Sequence, residues 1–221
     1  MKSRFDAVMF DLDGTLVNTE VLYRRFWIEA ARHFGYPMEV RHTLMIRSLT
    51  PVYAQEILKR EFGEDFDYYG VRDYRRIIMG KYLEEHGAEP KPGLRETLKA
   101  AKECGIQVAL TTASPLKRAT GILERLGVLE YFDTLCCGDH VKIGKPDPAI
   151  YLLGVERLHV EPKRAIGVED SGTGLRSAKT AGLFTVMIPD LSKPTEEEMK
   201  IADRILPSLN DLIPLFRDTV G

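Results

Sequence analysis

The sequence is poor in the features that mark secreted, membrane-spanning and metal-clustering proteins. Only three of its 221 residues are cysteine, and none of them has a C-x-x-C or Cys/His spacing. We therefore expect reduced, buried thiols and neither disulfides nor a zinc site. The first apolar stretch meets Asp6 and Asp11 too early for a signal peptide, and no apolar run is long enough to span a bilayer. These observations predict a cytoplasmic protein with no membrane partner.

Positive charge is not in excess either. The chain has 31 lysines and arginines against 33 acidic residues, a formal net charge of -2 and a pI near 6.2. This balance leaves no basic stripe that would neutralise a phosphate backbone, so we expect no nucleic-acid partner. The hydrophobic fraction of 44% is ordinary for a globular protein. We expect a chain that folds by itself and acts as a monomer.

Two kinds of hydrophobic pattern divide the chain. The apolar run Ala7–Phe10, closed by Asp11, predicts a buried strand of a parallel sheet. From Val21 to Gly87 the apolar residues recur at helical spacing, and Thr50-Pro51 predicts the start of one helix. We therefore predict an all-helical cap domain over residues 16–90.

After Pro90 the predicted helices and strands alternate. Such alternation is typical of βαβ units and predicts an α/β fold with a doubly wound, Rossmann-like parallel sheet over residues 1–15 and 91–221. A module inserted beside strand ends is placed to act as a lid over a ligand site. The predicted later elements are strands at Ile106–Leu110, Thr134–Cys137, Arg164–Val168 and Phe184–Ile188, and a closing helix at Ser208–Phe216.

Polar residues follow several of these strands. They are Asp11 and Asp13 after the first strand, Thr112 after the second, and Glu169 and Asp170 after the fourth, with Lys145 in a separate loop. Carboxyl ends of parallel strands meet at one edge of the sheet, so these groups are expected to converge. Clustered carboxylates need a cation, and hard oxygen ligands beside a phosphate favour Mg²⁺. The predicted ligands are Asp11, Asp170, Glu169 and the backbone carbonyl of Asp13.

The remaining groups fit a phosphate. The hydroxyl of Thr112 is a neutral donor, and the ammonium of Lys145 is a compact positive charge. Simpler explanations exist for each motif: turn formation by residues 11–15, capping of a helix by Thr112 or Ser114, a solvated Lys145, or an acidic helix start at residues 169–170. Their joint occurrence at successive strand ends favours a functional site.

Four ordered segments also resemble a known family. Residues 10–16 (FDLDGTL), 109–114 (ALTTAS), 144–148 (GKPDP) and 167–171 (GVEDS) resemble the motifs of the haloacid-dehalogenase-like superfamily. The helical stretch resembles the small cap of its β-phosphoglucomutase-like and phosphoglycolate-phosphatase-like branch. This resemblance covers nearly the whole chain.

The resemblance implies a mechanism. Asp11 would attack phosphorus and carry an aspartyl-phosphate, and Asp13 would be the general acid and base. Thr112, Ala113 and Lys145 would bind the phosphate, with Mg²⁺ as cofactor. Dehalogenating members lack the second aspartate, so Asp13 favours phosphoryl chemistry.

The cap residues leave three functions open. Arg47 is the candidate substrate contact, although Ile46 stands where relatives commonly have glycine. Related mutases carry a histidine and an arginine in the cap, where this chain has Tyr23 and, nearby, Leu49. We therefore expect a phosphatase for a small phosphorylated metabolite such as a sugar phosphate. The alternatives are a β-phosphoglucomutase-like phosphomutase and a non-catalytic phospho-acceptor switch.

Overall fold

The computed structural model of the protein describes residues 3–47, 49 and 51–218. The chain divides into two compact units, one formed by Met1–Asn18 with Glu89–Gly221 and the other by Thr19–Ala88. The first unit is therefore discontinuous in sequence.

The larger unit contains a six-stranded sheet whose neighbouring strands are all parallel. The strands are β1 (Ala7–Phe10), β2 (Gln107–Thr111), β3 (Thr134–Cys136), β4 (Ala165–Glu169), β5 (Phe184–Met187) and β6 (Arg204–Ile205). Their spatial order is β3-β2-β1-β4-β5-β6, so the first strand of the sequence lies in the interior of the sheet. This arrangement confirms the predicted α/β fold with a parallel sheet.

Helices flank this sheet. The numbering starts at α5, because helices α1 to α4 belong to the smaller unit described below. The helices of the larger unit are α5 (Leu94–Glu103), α6 (Leu116–Arg125), α7 (Ala149–Leu158), α8 (Gly172–Thr180), α9 (Glu196–Ile201) and α10 (Ile213–Arg217). Short 3-10 turns lie at Leu129–Tyr131, Gly138–His140, Pro162–Arg164 and Leu209–Leu212.

The smaller unit is helical and has its own apolar core. Its helices are α1 (Glu20–His33), α2 (Val40–Met45), α3 (Pro51–Phe62) and α4 (Tyr68–His86). Helix α3 begins at the predicted proline, Pro51, while the predicted cap residue Thr50 lies outside the described residues. Arg75 is buried in this unit, with its guanidinium over the rings of Tyr23 and Trp27 at 4.7 and 5.1 Å from the ring centres.

The sequence patterns missed two elements near the C-terminal end. Strand β6 has two exposed residues, so it carries no alternating apolar pattern. Helix α9 is short and acidic, and none of its residues is buried. Its start has the Thr195-x-x-Glu198 capping box, which is a sequence signature of a helix N-terminus. The predicted closing helix is also different, since a 3-10 turn precedes α10.

Close packing of helix α8 on strand β4 depends on a glycine. A Cβ atom at Gly167 would lie 2.8 Å from the Cβ of Ala178 and 3.3 Å from Cδ2 of Leu183. Ala178 cannot move without its helix. By contrast, a Cβ atom at Gly121, inside α6, would meet nothing within 4 Å.

We predict opposite effects of alanine at these two glycines. Gly167→Ala should lower the free energy of unfolding by about 1–3 kcal/mol, because it overpacks the space between strand and helix. Gly121→Ala should raise it by about 0.5–1 kcal/mol, because alanine is the better helix residue and has room. Urea denaturation of both variants tests this, and equal effects would contradict the packing argument.

Candidate active site

The site begins where the central strands end. Phe10 lies opposite Leu110 on one neighbouring strand and Val168 on the other, so the next residues, Asp11 and Glu169, come side by side. Lys145 joins them: its Nζ lies 2.7 Å from Oδ1 of Asp11 and 2.5 Å from Oε1 of Glu169. The same ammonium donates to the carbonyl of Thr111 at 2.8 Å. All three charged side chains are at most 10% exposed.

A third carboxylate completes an acidic cluster. One oxygen from each of Asp11, Glu169 and Asp170 lies within 4.8 Å of the others, and all three residues are buried. This spacing suits a hard cation with oxygen ligands. The predicted convergence of these carboxylates is therefore seen in the structure.

The cluster shifts the charge state of Asp11. The pKa of its carboxyl is raised from 3.8 to about 8: burial is the largest cause, the charge of Lys145 opposes the rise, and the nearby Glu169 and Asp13 carboxylates add to it. Burial alone would lower the pKa of Lys145, but the charges of Asp11 and Glu169 outweigh it and hold this pKa well above 10.5. The lysine stays charged, and Asp11 holds a proton tightly when no cation is bound.

Two neighbours fix the position of Glu169. The hydroxyl of Tyr151, on α7, donates to Oε1 of Glu169 at 2.6 Å. On the other side the carboxyl occupies the space beside Gly174, where a Cβ atom would lie 2.0 Å from Cδ of Glu169. Glycine at position 174 thus lets the first turn of α8 approach the carboxylate.

Asp13 has its own partners. The two terminal nitrogens of Arg118 donate to it, Nη1 to Oδ2 and Nη2 to Oδ1, each at 2.7 Å. Oδ2 also accepts from the hydroxyl of Ser114 at 2.7 Å. Neither Arg118 nor Tyr151 was predicted from the sequence as a residue of the site. Arg118 lies in the first turn of the helix that follows the predicted Thr112 segment, but such a position alone does not identify a partner.

The phosphate candidates Thr112 and Ala113 lie in the loop between β2 and α6. The hydroxyl oxygen of Thr112 accepts from the backbone N–H of Ser114 at 3.1 Å. Neither Thr112 nor Ser114 caps α6: Pro115 is the N-cap residue and makes no side-chain cap bond, and the backbone N–H of Leu116 donates to the carboxylate of Asp139 at 3.1 Å. The simpler capping explanation for these hydroxyls is therefore wrong.

The predicted substrate residue Arg47 belongs to the helical unit. It follows α2, and its side chain is 14% exposed. Its Nε lies 3.4 Å from Oε2 of Glu20 in the first turn of α1. The guanidinium is thus paired within its own unit.

Comparison with known proteins agrees with this geometry. The family model described as haloacid dehalogenase-like hydrolase matches residues 5–182. The chain belongs to this family. The predicted family and enzyme class, a haloacid dehalogenase-like phosphatase, are therefore confirmed.

Two individual proteins are similar to this chain over most of its length. The phosphorylated carbohydrates phosphatase of Thermotoga maritima is 37% identical over 183 residues, which cover 80% of this chain and 82% of the relative. The solved structure of CbbY from Rhodobacter sphaeroides in complex with phosphate has a TM-score of 0.76 and 30% identity, covering 94% of this chain and 96% of that one. This haloacid dehalogenase-like hydrolase is similar to both proteins over most of their length.

Within residues 3–47, 49 and 51–218, no helix has both the length and the apolar character needed to cross a bilayer.

The raised pKa of Asp11 predicts a pH dependence of stability in EDTA. The folded state keeps a proton on Asp11 up to about pH 8, while the unfolded state loses it near pH 3.8. Stability from this proton is present below the lower value and is lost as pH rises to the upper one. The wild type should therefore lose stability relative to Asp11→Asn between those values. Urea titrations of both proteins across this range test it, and a wild type that gains relative stability would contradict it.

Proposed function

We propose that this haloacid dehalogenase-like hydrolase is a Mg²⁺-dependent phosphatase that acts on small phosphorylated metabolites, such as sugar phosphates, through an aspartyl-phosphate on Asp11. The observation that carries the proposal is the buried contact of Asp11 with Lys145 beside two further carboxylates. This arrangement supplies a nucleophile, a phosphate-binding cation and a place for a metal ion.

The substrate class rests on the relatives. The Thermotoga maritima protein is named for phosphorylated carbohydrates. A second relative, the fructose-1-phosphate phosphatase of Escherichia coli, is 29% identical over 187 residues, which cover 84% of this chain and 97% of that protein. Both names point to sugar phosphates as the first compounds to test.

The charges of the site fit a divalent cation. The Lys145 ammonium contacts the carboxyl groups of both Asp11 and Glu169, and Asp170 adds a third carboxyl group. Burial, with a further contribution from the neighbouring carboxylates, raises the pKa of Asp11, and a bound cation would favour its ionised form. We assign Asp11, Asp170, Glu169 and the backbone carbonyl of Asp13 to the metal site. When bound, Mg²⁺ would neutralise charge on the phosphoryl group.

The first half-reaction transfers the phosphoryl group to the protein. A carboxylate oxygen of Asp11 forms a bond to phosphorus while the bond from phosphorus to the leaving oxygen breaks. Asp13 donates a proton to that oxygen, so the product leaves as an alcohol. Lys145, the Thr112 hydroxyl and the Ala113 backbone N–H hold the phosphoryl oxygens.

The second half-reaction restores Asp11. Asp13 takes a proton from a water molecule, whose oxygen attacks phosphorus as the bond from phosphorus to Asp11 breaks. Inorganic phosphate leaves, and Asp13 is again protonated for the next cycle. Asp13 thus donates one proton in the first half-reaction and takes one up in the second.

Hydrolysis is favoured over phosphate isomerisation. A mutase must exclude water and hold one sugar phosphate in two orientations, which requires well-placed cap groups. The histidine and arginine of the resembled mutases fall at Tyr23 and near Leu49 in this chain, and the guanidinium of the buried Arg75 lies over the ring of Tyr23. The β-phosphoglucomutase structure from Clostridium difficile, at 23% identity and a TM-score of 0.76, is similar in fold alone. The helical unit, inserted soon after Asp13, is the proposed cap that selects the substrate.

Asp11→Asn should abolish phosphate release, because an amide neither attacks phosphorus usefully nor provides an anionic ligand. The test is a Mg²⁺-containing assay of both proteins against fructose 1-phosphate, glucose 6-phosphate, phosphoglycolate and 4-nitrophenyl phosphate. Circular dichroism would show that the variant is folded. Near-normal turnover by folded Asp11→Asn would refute the mechanism, and no release by the wild type from any of these esters would refute the substrate class.

Asp170→Asn should weaken the metal site and spare the fold. The amide keeps the shape of the side chain and one oxygen but removes the negative charge that attracts Mg²⁺. We expect the Mg²⁺ concentration for half-maximal activity to rise on the order of 10-fold or more, as for loss of one charged ligand. Asp147→Asn, in the loop after Lys145, is a matched control and should leave it unchanged. An unaltered metal dependence in Asp170→Asn would remove this residue from the metal site.

A further inference from the structure

Arg118 binds the Asp13 carboxylate in a way that restricts its orientation. The two terminal nitrogens of Arg118 meet the two oxygens of Asp13, one each, at 2.7 Å. Ser114 adds a hydrogen bond to Oδ2 at 2.7 Å and also accepts one from Arg118. The three side chains form a closed set of hydrogen bonds at the edge of the site.

A bidentate pair of this kind has a geometric effect that a single charge does not have. The terminal torsion of an aspartate is broad and two-fold, so a carboxylate held by one donor can turn. Two parallel N–H groups of a planar guanidinium fix the plane of the carboxylate. Lysine has the same charge but no such fork. Proton transfer depends on where a carboxylate oxygen points, and a misplacement of about 1 Å can cost on the order of 100-fold in rate.

We propose that Arg118, together with Ser114, is a positioning residue that sets the plane of the Asp13 carboxylate for proton transfer to the leaving oxygen. Arg118 lies outside the four motif segments and is 105 residues from Asp13 in the chain. The inference rests on the proposed role of Asp13 as the general acid.

The chain contains a second bidentate arginine–aspartate pair, which serves as a control that separates a positioning role from a purely stabilising one. Arg164 also meets Asp6 with two nitrogens on two oxygens, one contact being 2.9 Å from Nη2 to Oδ1. The exposure of the two pairs is similar, with 25% and 16% for Arg118 and Asp13 against 27% and 23% for Arg164 and Asp6. Asp6 precedes β1, whereas Asp13 follows it, so the two pairs lie beyond opposite ends of one strand.

The experiment compares Arg118→Lys, Asp13→Asn and Arg164→Lys with the wild type at saturating Mg²⁺. Each protein is assayed with glycerol 2-phosphate, whose leaving oxygen is basic, and with 4-nitrophenyl phosphate, whose leaving group needs little protonation. The readout is the ratio of the two kcat values. General acid catalysis is typically worth about 10²–10⁴-fold, and its loss should fall on the first substrate.

We expect Arg118→Lys to lower this ratio on the order of 10-fold or more, in the same direction as Asp13→Asn, because charge is kept while the fork is lost. Arg164→Lys should leave the ratio unchanged even if it lowers the melting temperature. Ser114→Ala, which leaves Arg118 in place, should lower the ratio by a smaller factor. This variant is the alternative test if Arg118→Lys does not fold.

Two results would overturn the inference in distinguishable ways. If Asp13→Asn lowers the ratio while Arg118→Lys and Ser114→Ala do not, Arg118 is only a stabilising partner and the proposed acid role stands. If Asp13→Asn itself leaves the ratio unchanged, the acid role of Asp13 fails, and the positioning role fails with it.

Discussion

The ammonium of Lys145 between Asp11 and Glu169 is the interaction on which the site depends. Each of these groups is nearly removed from water, and an isolated buried charge is far more costly than a paired one. The contacts therefore lower the cost of burying the Lys145 ammonium beside the carboxyl groups of Asp11 and Glu169. The cluster also has three carboxyl groups beside one ammonium, and such a set of oxygen groups suits a hard cation.

Sheet topology brings these groups together across long chain separations. Strands β2, β1 and β4 are spatial neighbours, and their parallel register aligns the residues that end them. Any one-residue slip of β4 against β1 would move Glu169 away from Lys145 and turn its side chain to the other face. Every residue of β1 and β4 is buried, and only glycine at position 167 fits beside Ala178, so packing of the core opposes such a slip and also determines the geometry of the site.

Sequence reasoning predicted most of the fold and the acidic centre, because the buried strands and the polar residues after them have strong local patterns. Thus Asp11, Lys145 and Asp170 could be named from the sequence. Arg118 and Tyr151 could not be named in this way. Each contacts a carboxylate far away in the chain, and helical periodicity does not reveal such a partner. The roles assigned to the site residues stay predictions. Glu169 belongs to β4 itself, one residue beyond the predicted strand end, because it continues the register with β5.

The two outermost strands of the sheet, β3 and β6, have three and two residues. An edge strand offers unpaired backbone groups to any other chain, and the number of bonds that such an encounter can form grows with the length of the strand. Here an intruding strand could gain only a few ladder hydrogen bonds at either edge. The short edge strands thus limit pairing with other chains while the parallel strands of the interior find their partners during folding.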